Sequence, residues 1–266
     1  MASDYQAGMP DSFAVPALVT YHAVPDGRRI AYRRLAGAWP MVVFLPGYKS
    51  DMNGGKAGAV LNWAYTHGNA CLLLDYSGCG QSDGDFAEGT LSRWCAEVVA
   101  LIDHCGAGRV VLVGSSMGGW LMLLVAEVLG TRVAGLVGIA AAPDFTDWGR
   151  DDVAKAALAD GQVVYDENAY GPEATPMYPA FWADGQAMRR LTMPIVFAGP
   201  VRLIHGQADP DVPWTIALRL AAALCSADVQ IHLIKDGDHR LSRDADIDVL
   251  RTTLGGLFAQ LQGLNA

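Results

Sequence analysis

Long apolar runs are missing from this 266-residue chain. None reaches the roughly 18 residues that a membrane-spanning helix needs, so no span is expected. Positive charge is scarce as well. Lys and Arg number 19 against 28 Asp and Glu, a formal net charge of −9, which disfavours nucleic acid or an anionic membrane surface as a partner. Paired cysteine spacings are absent: Cys71, Cys79, Cys95, Cys105 and Cys225 are scattered with no C-x-x-C. That suits reduced thiols better than a disulfide framework. The first residues, MASDYQAGMPDSFAVP, have no basic region followed by an apolar core. No signal or transit peptide is expected, and with reduced thiols this gives a cytoplasmic expectation. There is no internal repeat, no low-complexity tract and no His/Asp/Glu set at ligand spacing, so neither a metal nor a cofactor is expected.

What the chain does have is a hydrophobic fraction of 52%, enough for a substantial core in one large α/β domain. Leu18 to Val24 and Arg28 to Leu35 read as a β-hairpin turning at Pro25-Asp26-Gly27. Strands follow at Met41 to Leu45, Ala70 to Leu74, Val110 to Val113 and Val133 to Ala141. Helices are expected near Lys56 to His67, Leu91 to Cys105 and from Trp120 onward. This alternation implies βαβ crossovers and a mostly parallel central sheet flanked by helices. It stops between Pro143 and Pro200, then resumes with Val201 to His205, a helix from Trp214, Val229 to Ile234 and a last helix from Ala245. A loop of that length would be abnormal inside a compact domain. Residues 143–200 are therefore expected to form an inserted cap, and residues 1–142 and 201–266 the core, with a loose lead-in up to Pro16.

The organising stretch is RVVLVGSSMGGWLMLL, from Arg109 to Leu124. A strand-like run meets a helix-like one through Gly114-Ser115-Ser116-Met117-Gly118, the G-x-S-x-G pattern of a nucleophile elbow. The glycines fix the frame on Ser116, because Ser115 would need glycine at Val113 and Met117. A base and an acid should follow from later strand ends. His239, in DGDHR after the last strand, is the expected base. His205 and His232 read as structural, and His22, His67 and His104 precede the elbow. Asp209, in HGQADPDVP, is the expected acid. Asp211 is its close competitor, although Val212-Pro213 makes it suit a helix cap, and Asp144 is a distant one. An oxyanion site needs two backbone donors. The N–H of Met117 follows from the elbow, and the loop after Met41 to Leu45 offers that of Tyr48.

Together, FLPGYKSDMNGGKA, DYSGCGQSDG, VGSSMGGWLML, VRLIHGQADPDVPW and DGDHR make the chain resemble a serine hydrolase of the α/β-hydrolase superfamily from about residue 20 to 262. The blocks are similar to the branch of mitochondrial acyl-glucuronide esterases and palmitoyl-protein thioesterases of animals and their bacterial relatives. Pro46, where much of the superfamily has histidine, is shared with that branch. The resemblance implies an α/β-hydrolase fold, Ser116, Asp209 and His239 as the triad, and Tyr48 and Met117 as oxyanion donors. The expected activity is hydrolysis of a small-molecule carboxylic ester or thioester through an acyl-enzyme. A non-catalytic receptor or a C–C bond hydrolase is the alternative on the same fold. The cap aromatics Trp148, Tyr178, Phe181 and Trp182 are expected to line a substrate pocket for short apolar esters, and Arg189 or Arg190 to reach a substrate carboxylate.

Overall fold

A computed structural model describes residue 15 and residues 17–167 and 171–263. The lead-in expected up to Pro16, apart from Val15, and Tyr170 of the expected cap lie outside the described residues. Eight strands form one sheet in the order β1-β2-β4-β3-β5-β6-β9-β10, and a separate pair is β7-β8. The first two, β1 (Val19–Ala23) and β2 (Arg29–Leu35), are the expected hairpin. From β3 (Ala38–Leu45) and β4 (Asn69–Leu74) onward the pairing is parallel, through β5 (Val110–Ser115), β6 (Val133–Ile139), β9 (Val201–Gly206) and β10 (Val229–Ile234). Every residue of β4, β5, β6 and β9 is buried. This is why those segments read as mainly apolar without alternation, Asn69, Arg202 and His205 being buried with the rest: a parallel strand is covered on both faces.

Two cores result. On one face, α1 (Gly55–Thr66) and α8 (Asp244–Gly263) pack on Val42, Phe44, Val111 and Val113. On the other, α2 (Leu91–His104), α3 (Met117–Leu129) and α7 (Thr215–Ala223) cover Val43, Leu45 and Leu112. Alternate residues of a strand face opposite ways, so each strand serves both cores. All five cysteines are free, and only Cys225 is exposed. Among the described residues no helix is long and apolar enough to cross a membrane.

Between β6 and β9 the chain leaves the sheet. It forms α4 (Phe145–Trp148), α5 (Asp152–Ala159), the antiparallel pair β7 (Val164–Asp166) and β8 (Thr175–Met177), and α6 (Pro179–Ala187). Polar ties hold this segment down and close its ends. Asp184 accepts from the Ser92 hydroxyl at 2.6 Å and its backbone N–H at 2.9 Å, and Trp120 Nε1 donates to the Met188 carbonyl at 3.1 Å. Buried Asp144 accepts from the N–H groups of Arg190 and Leu191 at 2.7 and 2.8 Å. Asp144, the distant competitor for the acid, is thus a tether of the segment's ends.

Candidate active site

Ser116 stands between β5 and α3 at φ 54°, ψ −119°, a conformation that L side chains seldom adopt. Its own backbone is pinned: the N–H donates to Ile139, and the carbonyl accepts from Gly119 and Ala142. The flanking glycines have a steric cause. A Cβ on Gly114 would lie 2.3 Å from the Gly118 carbonyl oxygen, and one on Gly118 would lie 2.1 Å from that of Leu45. Neither neighbour is a side chain that can swing away. The helix starts at Met117 rather than near Trp120 as expected, because close packing compensates the poor helix propensity of Gly118 and Gly119.

The structure brings Ser116, His239 and Asp209 together. Ser116 Oγ lies 3.1 Å from His239 Nε2, and His239 Nδ1 lies 2.8 Å from Asp209 Oδ2. A carboxylate only accepts, so Nδ1 carries the proton and Nε2 accepts from the serine hydroxyl. Asp209 has no exposed side-chain surface. Burial opposes its ionisation, but hydrogen bonds from His205 and His239, the His239 charge and the Val212 N–H outweigh that cost. They hold the carboxyl well below its ordinary value.

Asp209 also shapes the turn that follows it. Its Oδ1 accepts from the N–H groups of Asp211 and Val212 at 2.9 and 2.8 Å. Asp211 is exposed and does not cap α7, whose N-cap is Trp214. His205 proves to be more than filler. It is buried, its Nε2 is 3.0 Å from the Val212 carbonyl and 3.4 Å from Asp209 Oδ2, so it braces the acid. Its place four residues before Asp209, at the end of an apolar run, is the only trace of this in the sequence. His232 is exposed on the edge strand β10, not enclosed in the core.

Ligand-type atoms of Asp209, Asp211 and His239 lie within 4.8 Å of one another. Both Asp209 oxygens and His239 Nδ1 are already engaged in the hydrogen bonds above. Linear spacing hid this triplet because tertiary contact assembles it.

The loop after β3 sits beside the nucleophile: a Cβ on Gly47 would lie 3.4 Å from Ser116 Cβ. The DYSGCG block holds that loop. Buried Asp75 accepts from the Met52 N–H at 2.7 Å, and Tyr76 donates its hydroxyl to the Pro46 carbonyl at 3.1 Å. Met117 N is in the first turn of α3, where helix N–H groups lack intrahelical acceptors. The Tyr48 side chain points the other way, under α6. Its hydroxyl donates to the Pro176 carbonyl at 2.9 Å, and burial pushes the phenol well above its usual range.

A cleft of about 890 Å³ opens over Ser116 and His239. Of the four aromatics expected to line it, Trp148 does. Tyr178, Phe181 and Trp182 do not. Phe181 is 1% exposed and packs its ring on Tyr48, Trp94 and Phe145 at 4.7 to 5.8 Å. Tyr178 faces Phe86, and Trp182 Nε1 donates to the Thr146 carbonyl at 3.0 Å. Phe145 and Met177 line the cleft in their place. The arginines differ as well. Arg189 pairs with Asp147 and Arg190 with Glu127, whereas Arg150, paired with Asp166, borders the cleft.

Residues 42–251 match the alpha/beta hydrolase family. The chain is 37% identical over 241 residues to the human protein called palmitoyl-protein thioesterase ABHD10, mitochondrial, covering 89% of this chain and 79% of that one. Among solved structures it resembles alpha/beta hydrolase domain-containing protein 10 from mouse, with TM-score 0.86, 35% identity and coverage of 92% and 100% of the two chains. A putative hydrolase from Agrobacterium vitis S4 is similar at TM-score 0.84 and 39% identity, covering 90% and 99%. The cytoplasmic expectation is overturned here, since the human and mouse relatives are mitochondrial proteins by name. Cysteine spacing reports whether thiols are reduced, and a reducing environment does not single out one compartment. Sheet order, elbow, hydrogen-bonded serine, histidine and aspartate, and similarity over nine-tenths of its length agree: the chain belongs to the alpha/beta hydrolase family and is a hydrolase.

Proposed function

We propose that this hydrolase cleaves carboxylic esters or thioesters through an acyl-enzyme on Ser116. The observation that carries the reading is the relay from Oγ to His239 to Asp209, at 3.1 and 2.8 Å, at the floor of an open cleft. A receptor that binds without turnover has no use for so aligned a relay. In the first half, His239 Nε2 takes the Ser116 proton as Oγ attacks the carbonyl carbon. The N–H groups of Met117 and Tyr48 receive the oxyanion, and Asp209 stabilises the imidazolium. His239 then gives its proton to the departing alcohol or thiol. In the second half, water delivered by the same base releases the acid and frees Ser116.

Residues 143–200 act as a cap that bounds the substrate, with Trp148, Phe145 and Met177 as its apolar wall. The relatives named palmitoyl-protein thioesterases support thioesters with an acyl chain as one substrate class. Incubation with a fluorophosphonate, followed by peptide mapping, should label Ser116, and the labelled enzyme should lose turnover of p-nitrophenyl esters and acyl thioesters alike. Unlabelled Ser116 in a protein that still hydrolyses either substrate would remove the serine from the mechanism.

A further inference from the structure

Lys56 is the one lysine set into the first turn of α1, a position that disfavours a cation because the helix dipole is positive there. It is half-buried, borders the cleft, and donates Nζ to the backbone carbonyl of Arg240, the residue after His239. Burial first, and then the Arg240 charge, pull its pKa down to about 8, against the opposing pull of Asp238, Asp246 and Asp209. A charge placed against both dipole and desolvation costs stability, which calls for a reason.

The loop it touches supplies that reason. Between β10 and α8, this loop carries His239 and includes Leu241 at φ 44°, a strained backbone for a branched, buried side chain. Other ties hold it to itself, to α8 through Arg243 and Asp246, and to the acid's side of the site. The Leu241 N–H donates to Asp238 Oδ1 at 2.9 Å, and the Ala208 N–H donates to the Gly237 carbonyl at 3.0 Å. Lys56 comes from the opposite wall, on the helix that directly continues the Tyr48 loop.

We propose that Lys56 is a positioning residue: its ammonium, bonded to the Arg240 carbonyl, fixes the loop bearing His239 against α1 and so sets the base on Ser116. The proposal rests on the serine-hydrolase reading above. As the ammonium loses its proton, the bond to the carbonyl loses its charge assistance, so turnover declines in the alkaline range.

Hydrolysis of p-nitrophenyl butyrate by wild type, Lys56→Met and Lys56→Arg between pH 6 and 10, with melting temperatures at pH 7, tests this. Lys56→Met should lower kcat at pH 7 by about tenfold or more with KM changed less than about twofold, because alignment and not binding is lost. Its melting temperature should not fall, and the wild-type decline above about pH 8 should vanish from its profile. Lys56→Arg should recover part of kcat and stay level to pH 10, since a guanidinium keeps both charge and donor. The proposal is overturned if Lys56→Met keeps kcat within about twofold, or if kcat falls only alongside a loss of more than about 5 °C in melting temperature. Wild-type protein that neither turns over the ester nor labels at Ser116 overturns the serine-hydrolase reading, and the proposal with it. A working wild type with an indifferent Lys56→Met overturns the proposal alone.

Discussion

Two regions face each other across Ser116. Beneath it, the carboxyl edge of the sheet holds Ser116, Asp209 and His239 at or just past strand ends, with backbone against backbone. At Gly114, Gly118 and Gly206 an added Cβ would come within 2.1 to 2.3 Å of a carbonyl oxygen. Above it, the segment between β6 and β9 rests on side chains: Phe181 on Tyr48 and Phe145, Asp184 on Ser92, Asp144 across the segment's ends. Backbone contact leaves no rotamer to adjust, so the lower region accepts few residue types. Side-chain contact allows many solutions, so the upper region can vary in shape while the chemistry below stays fixed. Under the function proposed above, reaction type is set in the lower region and substrate choice in the upper, two separately built parts of one cleft.

The sharpest cut between the two regions is Ser116→Ala. It should lower kcat by on the order of 10⁴-fold or more with an unchanged melting temperature, since a single hydroxyl is lost from a half-buried turn. Near wild-type turnover, with contamination excluded, would erase the division. Next, Asp209→Asn should cost about 10³- to 10⁴-fold in kcat because an amide cannot hold the Nδ1–H tautomer or the imidazolium. Asp211→Asn, on the exposed neighbour, should stay within about threefold. Equal losses in the two variants would return the acid to contention.

In the upper region the expected loss is of stability. Phe181→Ala should cost about 3–5 kcal/mol of unfolding free energy, as measured by denaturant titration, because the ring is fully packed. Trp148→Ala should cost less and instead shift the ratio of kcat/KM between short and long acyl esters. A specificity shift from Phe181 and none from Trp148 would reverse their roles. Asp144→Asn should lower stability by about 1–3 kcal/mol through its two backbone ties and leave kcat within about threefold.

The smallest effect is one of pH. The Asp209 carboxyl is depressed in the folded state. Its stabilisation is therefore complete above the unfolded value of roughly 4 and is lost as pH falls through the lower folded value. Melting temperatures of wild type and Asp209→Asn should converge as pH is lowered from 5 to 2. A gap that widens on acidification would contradict the hydrogen-bonded anion.

The sequence by itself determined the strand and helix order of the core and the frame of the elbow, and it pointed to Ser116, His239 and Asp209 with Asp211 and Asp144 still competing for the acid. The physical reason is that these features are local. Buried parallel strands need mainly apolar runs, and a backbone-on-backbone turn leaves glycine no substitute, so both are written in consecutive residues. Even β3 was legible except at its start, where Pro40 interrupts the pattern and the strand extends back to Ala38. Tertiary structure alone decided which cap aromatics face the cleft, because Trp148 and Phe181 are both aromatic residues of one inserted segment and nothing local says which of them is packed over. It alone showed that His205 braces Asp209, that Asp144 ties down a segment rather than a histidine, and that Arg150 reaches the cleft while Arg189 and Arg190 do not. It alone set Lys56 against the His239 loop, 184 residues away in the chain. Such contacts join residues far apart in sequence, and no periodicity or spacing records them until the sheet has folded.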